Sequence, residues 1–393
     1  MKKIISIIMV LACTSYIFNT PVTFAEETNT EVTGLELQSR SAILMEPTSG
    51  KVIYEKNAHE SLKPASVTKI MTLLLVFEAL ENGTIQLEDE VVVSEHAASM
   101  GGSQVYLEPN EIQTVEDMIK CIAIASANDA SVAMAEHLAG SELFFIQAMN
   151  NKAKELGMEN TNFMNSNGLD HDDHYMSAYD IAIMSKELIT KYPQVLDYTT
   201  IWQDSIIHRT KRGEEEFGLT STNKLIKWYN GATGLKTGST SKALYCLSGT
   251  ANRDGMDLIA VVMAAPDYKT RFEEVMELLD YGFANVSLYE DNIKGEIIKE
   301  MPVKKGKENF VHCVVKDDFS YVMDKENSGK EVTKELVISE YLEAPISLDD
   351  VVGQLVYKID GNEIGKVDVV AQNAVERTTF SFSFGQVIKM LFG

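Results

Sequence analysis

The chain has 393 residues, 45% hydrophobic and 24% charged, which is enough for a large core and more than one domain. Its formal net charge of −23 argues against nucleic acid as a partner and against electrostatic attachment to an anionic membrane face. The composition is globular, with no periodic repeat and no low-complexity block.

The first 25 residues, MKKIISIIMVLACTSYIFNTPVTFA, set two lysines ahead of an apolar stretch and end on a small-residue site at Ala25, the layout of a secretory signal. The mature chain is therefore expected to begin near Glu26, outside the cytoplasm. Cys13 lies late in the apolar stretch, but its setting, VLAC, fits a lipoprotein signal poorly. Past the signal remain Cys121, Cys246 and Cys313, odd in number and widely spaced. They imply no disulfide framework and no cysteine metal site, and their apolar settings read as core.

From Arg40, RSAILMEPTSGKVIYE alternates and turns at Pro-Thr-Ser-Gly, which predicts a hairpin. PASVTKIM, Pro64 to Met71, then opens a helix whose continuation, IMTLLLVFEAL, is apolar on nearly every face. Ser66 can serve as an ordinary helix-start residue. Lys69 cannot be dismissed so simply, because an unpaired ammonium in such a helix is costly. Val115 to Ala139 reads as two helical pieces interrupted at Ser126-Ala127-Asn128, with Asp129 as a candidate cap for the second. Further helices are predicted over Ser141 to Leu156, ended by Gly157, and over Tyr179 to Thr190.

The period then changes to two. Lys236 to Ser239 lies in a Gly-rich, strand-like edge segment, followed by ALYCLSGTA, a turn at Asn252 to Gly255, and DLIAVVMAA, which together predict an antiparallel sheet. Thr270 to Ala284 closes the region as a helix. The fold class is α+β, with a helical cluster inserted between sheet-forming ends over residues 35–284. Residues 285–377 carry short charged strands, such as EIIKEMPV and VGQLVYKID, and read as a small all-β sandwich domain. In the tail, 378–393, a helix would align Phe380, Phe384, Val387, Ile388 and Leu391 on one stripe, with Gly385, Gln386 and Lys389 opposite and Phe382 on the polar side. It is too short to span a bilayer, so a helix lying in the outer face of the cytoplasmic membrane is expected, against the alternative of a tail docked on its own domain.

Three short motifs carry chemistry together. Ser66 and Lys69, at i and i+3, share a helix face, and burial disfavours the charged amine, so Lys69 can take the Ser66 proton. Ser-x-x-Lys alone is common by chance. Ser126 and Asn128 bring a second hydroxyl and an amide to a helix break. Lys236 and Thr237 offer a cation and a hydroxyl to a substrate carboxylate, with Gly238 permitting close backbone approach. The three motifs in this order and context are far more specific than any one of them.

In these motifs the sequence resembles the penicillin-recognising serine enzymes, with Ser-x-x-Lys, Ser-x-Asn and Lys-Thr-Gly. LKPASVTKIMT, SANDASVAMAEH and GLKTGST are most similar to the low-molecular-mass penicillin-binding proteins that are D-alanyl-D-alanine carboxypeptidases. The resemblance covers the signal, the catalytic domain, the β-domain and the tail. It implies that Ser66 attacks the carbonyl between two terminal D-alanines of a peptidoglycan stem peptide, with Lys69 as base and Ser126 relaying a proton to the departing D-alanine. It further implies that Asn128 holds Lys69 and the substrate backbone, and that Lys236 and Thr237 bind the terminal carboxylate. The backbone N–H groups of Ser66 and Ser239, the residue after Gly238, would form the oxyanion hole. β-Lactams would be inhibitors, and no cofactor is expected.

Two rival readings share parts of this pattern. A serine β-lactamase shares the motifs, but no Glu-x-x-Leu-Asn stretch lies between Asn128 and Lys236, and the β-domain and tail have no use in it. A non-catalytic receptor for penicillin or wall peptide would keep the pocket without releasing D-alanine. The crowded Asp170, His171, Asp172, Asp173 and His174 read as a polar loop at the cleft edge rather than a metal site, since consecutive ligands seldom converge on one ion. No Gly-x-Ser-x-Gly elbow, HExxH, P-loop or dinucleotide fingerprint is present.

Overall fold

A computed structural model describes residues 34–211 and 213–392. The expected signal and Cys13 lie outside the described residues. The chain divides after Glu36, and Leu37 to Gly393 form the larger unit.

Strands β1 (Ser41–Met45) and β2 (Val52–Lys56) form the predicted hairpin. Helices α1 (Lys69–Glu81), α2 (Val115–Ala123), α3 (Asn128–Ala139), α4 (Glu142–Glu155) and α5 (Ala178–Lys191) make the helical cluster. A hairpin of β3 (Gln203–Thr210) and β4 (Gly213–Thr220) follows. Then come β5 (Ala232–Thr240), β6 (Leu244–Arg253), β7 (Met256–Ala265) and α6 (Tyr268–Asn285). The five-stranded antiparallel sheet runs β2-β1-β7-β6-β5, so both chain ends of the domain meet in one sheet and β5 is an edge.

The unbroken apolar run of β7 has a direct cause: α5 and α6 both pack against it, so neither side of the strand meets water. Helix α1 is buried on nearly every face, against α2, α3 and α5. This is why its sequence shows so little amphipathic pattern. Glu274 on α6 ties the entry of the domain down: it accepts from the backbone N–H groups of Gln38 and Ser39 and from the Ser39 hydroxyl.

One predicted cap is corrected. Ala127, not Asp129, occupies the N-cap of α3, and no side chain caps it. The Asp129 carboxylate is buried and instead accepts from the N–H groups of Val105 and Leu107, both at 3.1 Å. It thus fastens the 101–107 strap beside the helix break. The β3–β4 hairpin was not foreseen, because its second strand opens with GEEE, which carries no alternating apolar pattern.

From Val286 the chain is all strand until its tail. β9 (Ile297–Lys304), β10 (Phe310–Val315), β12 (Val332–Ile338), β13 (Leu342–Glu343), β14 (Val351–Ile359) and β15 (Asn362–Ala371) form a six-stranded sheet in the order β12-β14-β15-β10-β9-β13. Strands β8 (Val286–Asp291) and β11 (Phe319–Asp324) form a ribbon beside it. The two layers meet where Phe319 stacks on Tyr357, ring centroids 3.8 Å apart, over a core of Met301, Val311, Cys313 and Val369. Lys51 of the β1–β2 turn donates to the Val322 carbonyl at 3.1 Å, linking the two domains. The tail is helix α7 (Phe380–Phe392).

Candidate active site

Ser66 sits on a 3-10 turn, Ala65–Thr68, that runs directly into α1, so the hydroxyl stands at the helix entrance and does not cap it. Ala65 holds a left-handed φ of +50°, a costly conformation for a residue with a Cβ, immediately before the serine. Lys69 is fully buried one turn later. Its Nζ lies 3.1 Å from Ser66 Oγ, 2.6 Å from Asn128 Oδ1 and 2.5 Å from the Asn167 carbonyl oxygen. Burial, and next the nearby Lys236 cation, hold the Lys69 amine well below the ordinary lysine range, partly offset by Asp129.

A neutral amine has two hydrogens and one lone pair. With the hydrogens given to Asn128 Oδ1 and the Asn167 carbonyl, the lone pair is left for the Ser66 hydroxyl. Asn128 is fixed in turn, since its Nδ2 donates to the Gly101 carbonyl at 2.7 Å. Asn167 was not foreseen as part of the site, because it contributes a main-chain oxygen that side-chain chemistry does not advertise.

The helix break brings Ser126 to the same cleft in a left-handed conformation, φ +61°, with its Oγ accepting from Lys236 Nζ at 2.7 Å. Lys236 is buried on edge strand β5, and burial, aided by Arg271, lowers its amine to about 7. Thr237 shares a hydrogen bond with Thr222 at 2.7 Å. The cleft, of about 300 Å³, is lined by Ser66, Ser126, Thr237, Gly238 and Ser239 together with Ser103, Thr222, Lys224, Tyr268 and Arg271. Every predicted site residue thus falls in or directly behind one cleft.

Arg271 is the main side chain the motifs did not reveal. It lies one turn into α6 and is buried, with Nη1 donating to the Gly238 carbonyl at 3.1 Å while Nε has no partner among the described residues. A lone arginine in a helical pattern gives no signal of its own; only the packing of α6 beside β5 brings it to the cleft.

Gly238 is the point of closest approach. A Cβ there would stand 2.7 Å from the Pro64 carbonyl oxygen and 3.0 Å from the nitrogens of Ser66 and Val67, all backbone atoms that cannot swing aside. Gly238→Ala is therefore expected to push β5 away from the serine turn. Penicillin acylation should slow by roughly tenfold or more, with a stability loss of about 1–3 kcal/mol; stopped-flow labelling and thermal denaturation check the two separately.

The acidic loop after Gly168 disperses its side chains. Asp170 accepts from Thr240 Oγ1 at 2.8 Å, Asp172 pairs with Lys242, and His174 is buried between Thr68 Oγ1 and the Met164 N–H. Lys63 Nζ donates to the carbonyls of His171, Asp172 and His174. Among the described residues no group of three His, Cys, Asp or Glu side chains could hold a metal ion.

A family model described as D-alanyl-D-alanine carboxypeptidase matches residues 26–267, and one described as penicillin-binding protein 5, C-terminal domain, matches residues 283–377. The chain is 43% identical over 360 residues to D-alanyl-D-alanine carboxypeptidase DacF of Bacillus subtilis (strain 168), covering 92% of each. The solved structure of penicillin binding protein 5 from Haemophilus influenzae matches with a TM-score of 0.76 at 30% identity, over 87% of this chain and 99% of that one. Penicillin-binding protein D2 from Listeria monocytogenes, in its ampicillin-bound form, matches 63% of this chain and 98% of that one at 32% identity and a TM-score of 0.54. With its three motifs gathered in one cleft and both domains matched in order, the chain belongs to the D-alanyl-D-alanine carboxypeptidase family of penicillin-binding serine enzymes.

Proposed function

We propose that this chain is an exported serine carboxypeptidase that removes the terminal D-alanine from peptidoglycan stem peptides through an acyl-enzyme on Ser66. The observation that carries the mechanism is the buried Lys69 amine, its hydrogens engaged by Asn128 and Asn167 and its third contact made with Ser66 Oγ. Ser66 attacks the carbonyl between the two D-alanines as Lys69 takes the hydroxyl proton. The N–H groups of Ser66 and Ser239 receive the developing oxyanion. The C–N bond then breaks, and Ser126, itself hydrogen-bonded to Lys236, passes a proton to the departing amine. Thr237 and the Arg271 and Lys236 cations hold the terminal carboxylate. Water finally releases the shortened peptide from Ser66. A β-lactam acylates the same hydroxyl. Among the described residues that line the cleft there is no carboxylate to drive rapid deacylation, which favours this reading over a β-lactamase.

Labelled penicillin should modify Ser66, and the mature chain should release D-alanine from a peptide ending in D-Ala-D-Ala. Labelling without release would instead support a non-catalytic receptor. Because Lys236 loses its proton as pH rises through about 7, the alkaline limb of kcat/KM should fall with a midpoint near that value. In Lys236→Arg the limb should move beyond pH ~10, since a guanidinium stays charged; an unmoved limb would assign it to another group.

We further propose that α7 holds the enzyme on the outer face of the cytoplasmic membrane. Its apolar stripe is uncovered: Phe380 is 85% exposed, and Phe384, Val387, Ile388 and Leu391 are exposed with it. Among the described residues no helix is long and apolar enough to cross a membrane, so the helix would lie in the interface. Removing residues 379–393 should move the processed protein from the membrane to the soluble fraction; retention would sink the anchor.

A further inference from the structure

Among the described residues none that line the cleft is acidic, in a chain whose net charge is −23. Two of them carry basic side chains, Arg271 and Lys224. Both rest on one ring: the Arg271 guanidinium lies 4.9 Å from the Tyr268 centroid and the Lys224 ammonium 5.1 Å from it. Lys224 is also 5.4 Å from the Trp228 centroid. Among the described residues it has neither a hydrogen-bond acceptor nor a carboxylate partner. The rings thus hold a half-buried ammonium at the leaving-group end of the cleft with its charge unmet.

A substrate ending in D-Ala-D-Ala brings one carboxylate to this end. Thr237 and Arg271 already suit it, and Lys224 remains as a second positive charge. We propose that Lys224 forms a second anion subsite, fitted to a peptide whose terminal D-residue carries a side-chain carboxylate, as D-glutamate or D-aspartate does. The inference rests on the carboxypeptidase reading and extends its leaving-group specificity. The chemistry is unchanged in its atoms: the amide C–N bond breaks, Ser66 Oγ holds the acyl group until water replaces it, and the departing amine leaves with the relayed proton. Only the side chain of the leaving residue differs. It would reach past the shared α-carboxylate toward Lys224.

The test uses the mature chain and three peptides of identical N-terminal part, ending in D-Ala-D-Ala, D-Ala-D-Glu and D-Ala-D-Gln. The glutamine peptide matches glutamate in size and lacks only its charge. The glutamate peptide should exceed the glutamine peptide in kcat/KM by roughly tenfold, the scale of one charge-assisted hydrogen bond. Lys224→Met should erase that ratio and Lys224→Arg should keep it. An equal rate for the two peptides in the native chain would overturn the proposal. So would an equal fall on all three peptides in Lys224→Met, which would assign Lys224 to the shared α-carboxylate. Failure to release D-alanine from the first peptide would overturn the carboxypeptidase reading, and this inference with it.

Discussion

Ser66→Ala should lower D-alanine release by roughly 10^4-fold or more and abolish covalent penicillin labelling. Loss of a serine nucleophile acts on that scale because the remaining groups can orient water but cannot form the acyl-enzyme. The fold should survive, since Ser66 is half-buried, caps nothing and, among the described residues, its hydroxyl makes a single side-chain contact, at 3.1 Å with Lys69. Intact-mass measurement after penicillin treatment, with thermal denaturation alongside, separates lost chemistry from lost folding. An adduct on another residue, or undiminished D-alanine release, would sink the mechanism.

Lys69→Met should slow acylation by roughly a thousandfold, within the range that a positioned general base contributes. The thioether fills much of the same volume but cannot take the Ser66 proton. Stability should respond differently. The folded-state pKa of Lys69 lies well below its ordinary value, so at pH values between the two the unfolded chain holds a proton that the folded chain has released. That cost is full below the folded-state pKa and fades as pH approaches the ordinary lysine value. Lys69→Met lacks it, while leaving Asn128 Oδ1 and the Asn167 carbonyl without their donor at every pH. The difference in melting temperature between variant and native chain should therefore shift in the variant's favour as pH falls from about 10 to 6. A pH-independent difference would mean that Lys69 is charged in the folded protein and could not serve as the base.

Much of the site was legible because its chemistry sits in side chains at short, ordered spacings. Ser66 and Lys69 share a helix entrance, Ser126 and Asn128 flank a helix break, and Lys236 to Gly238 lie on an edge strand, as their local patterns imply. The two-domain α+β organisation was legible for a similar reason, since hydrophobic period changes from helical to alternating near Lys236 and helical patterns cease between Asn285 and the tail. What stayed hidden was contributed by backbone or by distant packing. The Asn167 carbonyl has no residue-type signature, and Asp129 looked like a helix cap because such residues often are.

By itself, the sequence determined the candidate nucleophile, its candidate base and the order of the elements that carry them, because these follow from residue type and from periodicities within single segments. Only the tertiary structure decided that the serine turn before α1 and strand β5 approach closely enough to require glycine at position 238, and that Asn128 and Asn167 occupy two sides of the Lys69 amine. It also decided that Arg271 and Lys224 reach the cleft against one tyrosine ring. Those facts depend on contacts between segments 30 to 100 residues apart and more, where no local pattern records which faces will meet.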